Sequence, residues 1–158
     1  MRYWLMKTEP GVFSFDDLVK NPKRTTSWEG VRNYQARNLM RDDFKVKDRA
    51  FIYHSGIEEP CIAGVAEVVR EGYPDETALD PKSKYYDSDA AKKKETPWVM
   101  VDVKATHRFK NPVTRADLKA HKKLQSMMVL KKGARLSVQP VTKEEFEVIL
   151  KLGNPEAL

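Results

Sequence analysis

Three segments of the chain share one local grammar, and it fixes where short helices can begin. In each, a hydroxyl residue is followed three positions later by an acid, and an apolar pair straddles the turn. The segments are Phe13, Ser14, Asp17 and Leu18; Val113, Thr114, Asp117 and Leu118; and Val141, Thr142, Glu145 and Phe146. The hydroxyl accepts from an amide of the first turn, the acid takes the cap residue's own N–H, and the apolar pair sets the entry angle. The last helix carries Phe146, Ile149 and Leu150 on one face and runs towards Gly153, a suitable stop. A fourth helix is expected from near Asn33, carrying Ala36, Leu39 and Met40 and ending by Asp42-Asp43.

Between these helices lie apolar runs of strand length: Tyr3 to Met6, Ala50 to Tyr53, Cys61 to Val69, Trp98 to Val103 and Leu136 to Val138. Helices and strands interleave irregularly, and turns such as Ser55-Gly56 are short. That pattern favours an α+β fold with an antiparallel or mixed sheet, or a small barrel, over a doubly wound parallel sheet. Gly64 inside the third run marks a bend or a close approach. The stretch from Glu71 to Thr96 has no clear period, but it holds Tyr85-Tyr86 among its charges and is read as an ordered excursion over the sheet. A length of 158 residues suits one domain over residues 1–158.

Several function classes lack their parts. The apolar run Tyr3-Trp4-Leu5-Met6 ends at Lys7, too short for a signal-peptide core or a membrane span, so no membrane role is expected. A single cysteine, Cys61, cannot form an internal disulfide, and a reducing cytoplasm fits. His54, His107 and His121 stand far apart in no metal or triad spacing, and there is no Gly-rich phosphate loop, nucleophile elbow or CxxC. No metal, no cofactor and no catalytic residue is expected. The net charge of +6 is compatible with an acidic partner, though Lys92-Lys93-Lys94, Lys122-Lys123 and Lys131-Lys132 read equally as solvated faces.

Against that blank, residues 28–38 form a dense binding vocabulary, Trp-Glu-Gly-Val-Arg-Asn-Tyr-Gln-Ala-Arg-Asn. Trp28 offers a flat face for stacking, Asn33 a donor and an acceptor for a base edge, and Arg32 or Arg37 a hand for phosphate. Each also has a plain alternative: Trp28 as core, Asn33 as a helix cap, the arginines as a solvated face. Lys7-Thr8-Glu9-Pro10 and Tyr53-His54-Ser55-Gly56 end two strands in polar side chains, where sheets present ligands. His54 can hydrogen-bond a base, exchange a proton near neutral pH, or satisfy a neighbouring group.

These segments, with Tyr73-Pro74-Asp75, Tyr85-Tyr86-Asp87, Pro97-Trp98 and Arg135-Leu136-Ser137-Val138-Gln139-Pro140-Val141, resemble the EVE domain across nearly the whole chain. The resemblance implies a PUA-like fold, a small mixed β-barrel flanked by short helices, related to the YTH readers of N6-methyladenosine. It implies binding of DNA or RNA that carries a modified base. Trp28 looks like the cage tryptophan of the YTH relatives, and Trp98, Tyr85 and Tyr86 are candidates for further walls. Trp98 could instead pack under the barrel, and Tyr86 could pin the long loop.

The leading expectation is therefore a reader. Trp28, Tyr34, Tyr85, Tyr86 and Trp98 would enclose a base, Asn33, His54, Ser55 and Thr8 would read its edge, and Arg32, Arg37 and Lys7 would hold phosphate. The cavity should open where the first two strands end. The alternative is a PUA-like nuclease or small amidohydrolase using Lys7, Glu9 and His54, as catalytic ASCH relatives suggest. A third reading is an adaptor that binds nucleic acid through basic surface alone.

Overall fold

The computed structural model describes residues 1–158. In chain order its elements are β1 (Tyr3–Thr8), α1 (Phe15–Lys20), β2 (Thr25–Ser27), α2 (Tyr34–Asn38), β3 (Arg49–His54), β4 (Cys61–Pro74), α3 (Ser88–Lys93), β5 (Val99–Thr114), α4 (Arg115–Ala120), β6 (Val138–Val141), α5 (Lys143–Gly153) and β7 (Pro155–Ala157). All three capping boxes are made: Ser14 starts α1, Thr114 starts α4 and Thr142 starts α5, each with both reciprocal hydrogen bonds. Asn33 caps α2, whose last turn widens into a π-helical turn at Leu39–Asp43. The stop of α5 falls one residue later than expected, at Asn154 with a φ of 49°. Gly153 is small for another reason, since a Cβ there would enter the Phe109 ring.

The strands form one sheet in the order β2-β5-β4-β3-β1-β6, with β7 added to β5. Every pair is antiparallel except β1 with β3, which run in parallel from Tyr3 against Arg49 to Thr8 against His54. Alternation in β1 sends Trp4 and Met6 to one face and Leu5 to the other. The first face is covered by Phe15 and Leu18 of α1, Ala36 of α2, and Met40 and Phe44. The second is covered by Leu118 of α4 and by Phe146 and Ile149 of α5. Trp4 stacks on Phe44 at 4.4 Å, and its indole Nε1 donates to the buried carboxylate of Asp48 at 3.0 Å. This is α+β architecture with a strongly bulged mixed sheet.

The expected barrel is not closed. Strands β2 and β6 are the two ends of the hydrogen-bonded path, and nothing pairs them. β2 has only three residues and β6 only four, so each end of the path presents a short edge. Both long strands extend beyond the expected apolar runs because β4 and β5 slip register repeatedly, and each bulge adds bend and twist. One slip flanks Gly64, where the Phe15 ring and the His107 carbonyl approach so closely that no side chain fits. The unclosed seam between the ends of β2 and β6 is where the molecule keeps its cavity.

Candidate functional site

The seam opens as a cavity of about 500 Å³, within the usual size of small-ligand sites. Lys7, Thr8 and Glu9 approach it from the end of β1, Val12 and Phe13 from the turn before α1, Ser27, Trp28, Glu29 and Gly30 from the end of β2, and Ser137 from the start of β6. Lys84 and Tyr85 close it from the long excursion. Trp28 is 8% exposed and belongs both to the core and to the cavity wall. Phe13 holds its ring edge-on at 6.2 Å. Trp28 and Tyr85 in the wall, with hydroxyl, ammonium and carboxylate groups around them, suit a flat heterocycle with a polar edge.

Burial beside the Arg115 charge lowers the pKa of the Lys7 ammonium. Glu29 is pushed up, first by burial and then by Asp75, with Lys84 and Arg32 opposing. The cavity thus offers an acid and a base that hold their charges less firmly than in water. The Thr8 hydroxyl donates to the Phe13 carbonyl at 2.6 Å, so towards the cavity it can act only as an acceptor.

A buried ion pair fixes the Tyr85 wall. Asp75, fully buried, accepts from the Gly30 amide at 2.9 Å and from Arg32 Nη1 at 2.9 Å. Burial alone would raise the Asp75 pKa, but hydrogen bonds from Thr77, Gly30 and Arg32 outweigh it and hold the carboxyl below its ordinary range. Arg32 Nη2 then donates to the Tyr85 carbonyl at 2.8 Å. Gly30, with a φ of 84°, lies under the Tyr85 ring, and a Cβ would stand 2.5 Å from that ring. Gly30→Ala is expected to displace Tyr85 and to add about 1–2 kcal/mol of backbone strain. That should lower the melting temperature by about 2–8 °C; an unchanged melt would mean that the ring does not rest on Gly30.

The structure brings together only part of the set read from sequence. Trp28, Tyr85, Thr8 and Lys7 line the cavity; Asn33, Tyr34, His54, Ser55, Tyr86, Trp98, Arg32 and Arg37 do not. The Asn33 side-chain oxygen accepts from the Ala36 amide at 3.0 Å, which fixes the side chain as the cap of α2, away from the cavity. His54 Nε2 accepts from the Phe15 amide at 3.0 Å, and burial lowers its pKa, so the ring serves the start of α1. Ser55 meets β1 only through its backbone amide, which donates to the Thr8 carbonyl. Arg32 is committed to Asp75 and Tyr85. Arg37 stands away from the cavity, with Nη1 on the Pro97 carbonyl and Nε on Asn38 Oδ1, both at 2.8 Å, and its Nη2 makes no hydrogen bond. Trp98 is buried with Nε1 on Asp87, while Tyr34 and Tyr86 lie outside, 58% and 41% exposed. Sequence reasoning passed over Glu29, Lys84 and Ser137 as site residues, since nothing local distinguishes them from surface polar groups. Lys7 and Glu9 both line the cavity but His54 does not, so the trio of the alternative, enzymatic reading is not brought together there. No group of three or more His, Cys, Asp or Glu side chains is placed to hold a metal ion.

Comparison with known proteins gives the arrangement its relatives. The family model of the EVE domain matches residues 2–152. Human thymocyte nuclear protein 1 is 42% identical over 170 residues, covering 98% of this chain and 75% of the human protein. A hypothetical protein from Leishmania major superposes with a TM-score of 0.89 at 47% identity, covering 98% of this chain and 95% of that one. Human THYN1, in a crystal structure with DNA containing 5-methylcytosine, superposes with a TM-score of 0.85 at 43% identity over 99% of both chains.

Proposed function

The chain belongs to the EVE domain family, and on that premise we propose that residues 1–158 act as one DNA-binding module that holds a modified base in the seam cavity and performs no chemistry on it. The observation that carries this reading is the cavity itself, walled by Trp28 and Tyr85, on a chain that matches over 99% of its length a relative solved with methylcytosine DNA. A base that enters must leave its stack, and aromatic walls repay that cost at about 1–3 kcal/mol per base whatever its identity. Glu29 and Glu9 can accept from an exocyclic amine, while Lys7 and Lys84 can donate to ring acceptors or to the adjoining phosphate.

Discrimination by one methyl group is modest. Burying it contributes about 0.8 kcal/mol, so titration of short single strands should show about a fourfold preference for 5-methylcytosine over cytosine. The log-log salt slope should lie near −1.4 to −2 if two or three phosphates are touched. Equal affinity for both strands with a slope several times steeper would replace the base pocket with the basic surface as the binding site. Incubation should leave the strand intact. The human relative supports DNA as the polymer proposed here, and RNA strands of the same sequence test that choice. No helix is long and apolar enough to cross a membrane. Reading DNA shifts the expected place of work from the cytoplasm at large to wherever DNA is held, and the relative's name says nuclear of that protein.

A further inference from the structure

From the cavity wall, a column of rings and guanidinium groups leads to the surface. Its inner end is the cavity wall Tyr85. The Arg32 guanidinium lies 5.7 Å from that ring and 5.5 Å from the buried Trp98 ring. Trp98 in turn meets Tyr34 at 4.7 Å with 33° between the planes. The Arg37 guanidinium stands 5.0 Å from the Tyr34 ring and is held by the Pro97 carbonyl. Trp98 needs no polar partner from Tyr34, because its Nε1 is already bonded to Asp87 at 2.9 Å. Tyr34 is nevertheless an aromatic left 58% exposed, at the first residue of α2 and beside a fixed cation.

We propose that Tyr34 and Arg37 form a second nucleic-acid contact, a stacking platform with a phosphate hook for a nucleotide flanking the base held in the cavity. Each step of the column is under 6 Å. Three such steps separate the Tyr34 ring from the cavity wall, a span that a few nucleotides of an extended strand can cross. An exposed phenol face is indifferent to base identity, and a guanidinium beside it matches the charge of the backbone. A flanking base can use the platform only when it is unstacked, so the partner is a single-stranded stretch of DNA. The proposal rests on the base-pocket reading but makes a separate demand, since the platform sees strands and not free nucleosides.

The test measures binding of free 5-methyl-2′-deoxycytidine and of a thymine-flanked single strand carrying one 5-methylcytosine, with thermal melts alongside. Tyr34→Ala should weaken the strand about five- to tenfold and leave the nucleoside within about twofold, because Tyr34 does not line the cavity. Tyr34→Phe should restore strand binding. Arg37→Gln should reduce the salt slope by about 0.7, the loss of one phosphate contact. A duplex of the same sequence should bind more weakly than the strand. The platform is overturned if Tyr34→Ala leaves strand affinity unchanged, or lowers nucleoside and strand equally, which would make Tyr34 a support for the Trp98 side of the wall. Equal affinity of the wild type for nucleoside and strand overturns the platform alone; a wild type that takes neither overturns the pocket and the platform together.

Discussion

Trp28→Ala is expected to weaken binding of a methylated strand by about 5- to 150-fold and to weaken the fold at the same time. One face of the indole is cavity wall, so its removal forfeits a stacking contribution of about 1–3 kcal/mol, or about 5- to 150-fold in affinity. The other face is core, packed among residues of the sheet and of α1 and α2. Truncating a buried tryptophan costs about 3–5 kcal/mol of stability, and part of the gap here opens into the cavity, which favours the lower end. Trp28→Phe separates the two effects, because it keeps most of the core volume and a ring face. Titration and melting of both variants decide the matter: if Trp28→Ala melts lower but binds normally, the indole is core alone and the base lies elsewhere.

Asp75→Ala is expected to cost about 3 kcal/mol. Breaking a buried pair by removing one partner usually costs about 3–5 kcal/mol because the remaining charge is uncompensated. Arg32 keeps a side-chain exposure of 25%, which places the effect at the low end. For a domain of this size that is a fall of about 6–12 °C in melting temperature. The Gly30 amide loses its acceptor as well, so Tyr85 should loosen and ligand affinity should fall with stability. The double variant Arg32→Met, Asp75→Leu should be more stable than Asp75→Ala, since it leaves no charge unpaired. Acid gives a second readout. The Asp75 carboxyl is held low in the folded state, so its contribution is complete above the unfolded value near about 3.9 and disappears as pH falls through the folded value. A melt no lower than that of a surface substitution would mean that Asp75 does not pin the excursion.

What could be read from the sequence was what is settled locally. The capping boxes at Ser14, Thr114 and Thr142 satisfy their bonds within four residues, and all three are present. Helix α3 escaped notice because Asp87 caps a segment whose only buried residue is Ala90, leaving no periodic apolar signal. The far halves of β4 and β5 escaped because Val69 to Gly72 and Lys110 to Pro112 are exposed and bulged. At the site, Trp28, Thr8 and Lys7 could be named from their chemistry and Tyr85 from the family resemblance, but Glu29, Lys84 and Ser137 could not. Ser137 reaches the cavity only because β6 pairs with β1, more than a hundred residues away in sequence. Asn33 and His54 were misplaced for one physical reason: a side chain fitted to read a base edge is equally fitted to cap a helix, and the amides of Ala36 and Phe15 claim them.

The pairing of β1 with β6 also bears on how the chain is made. β1 spans Tyr3–Thr8 and lies between β3 and β6, yet β6 begins only at Val138. At a synthesis rate of about 5–20 residues per second, roughly 7–27 s separate the two strands on the ribosome. Through that interval the outer edge of β1, with Trp4, Leu5 and Met6 beside it, has no native neighbour. Chains stalled before Val138 should therefore be the aggregation-prone species in the cell, and the finished protein the soluble one.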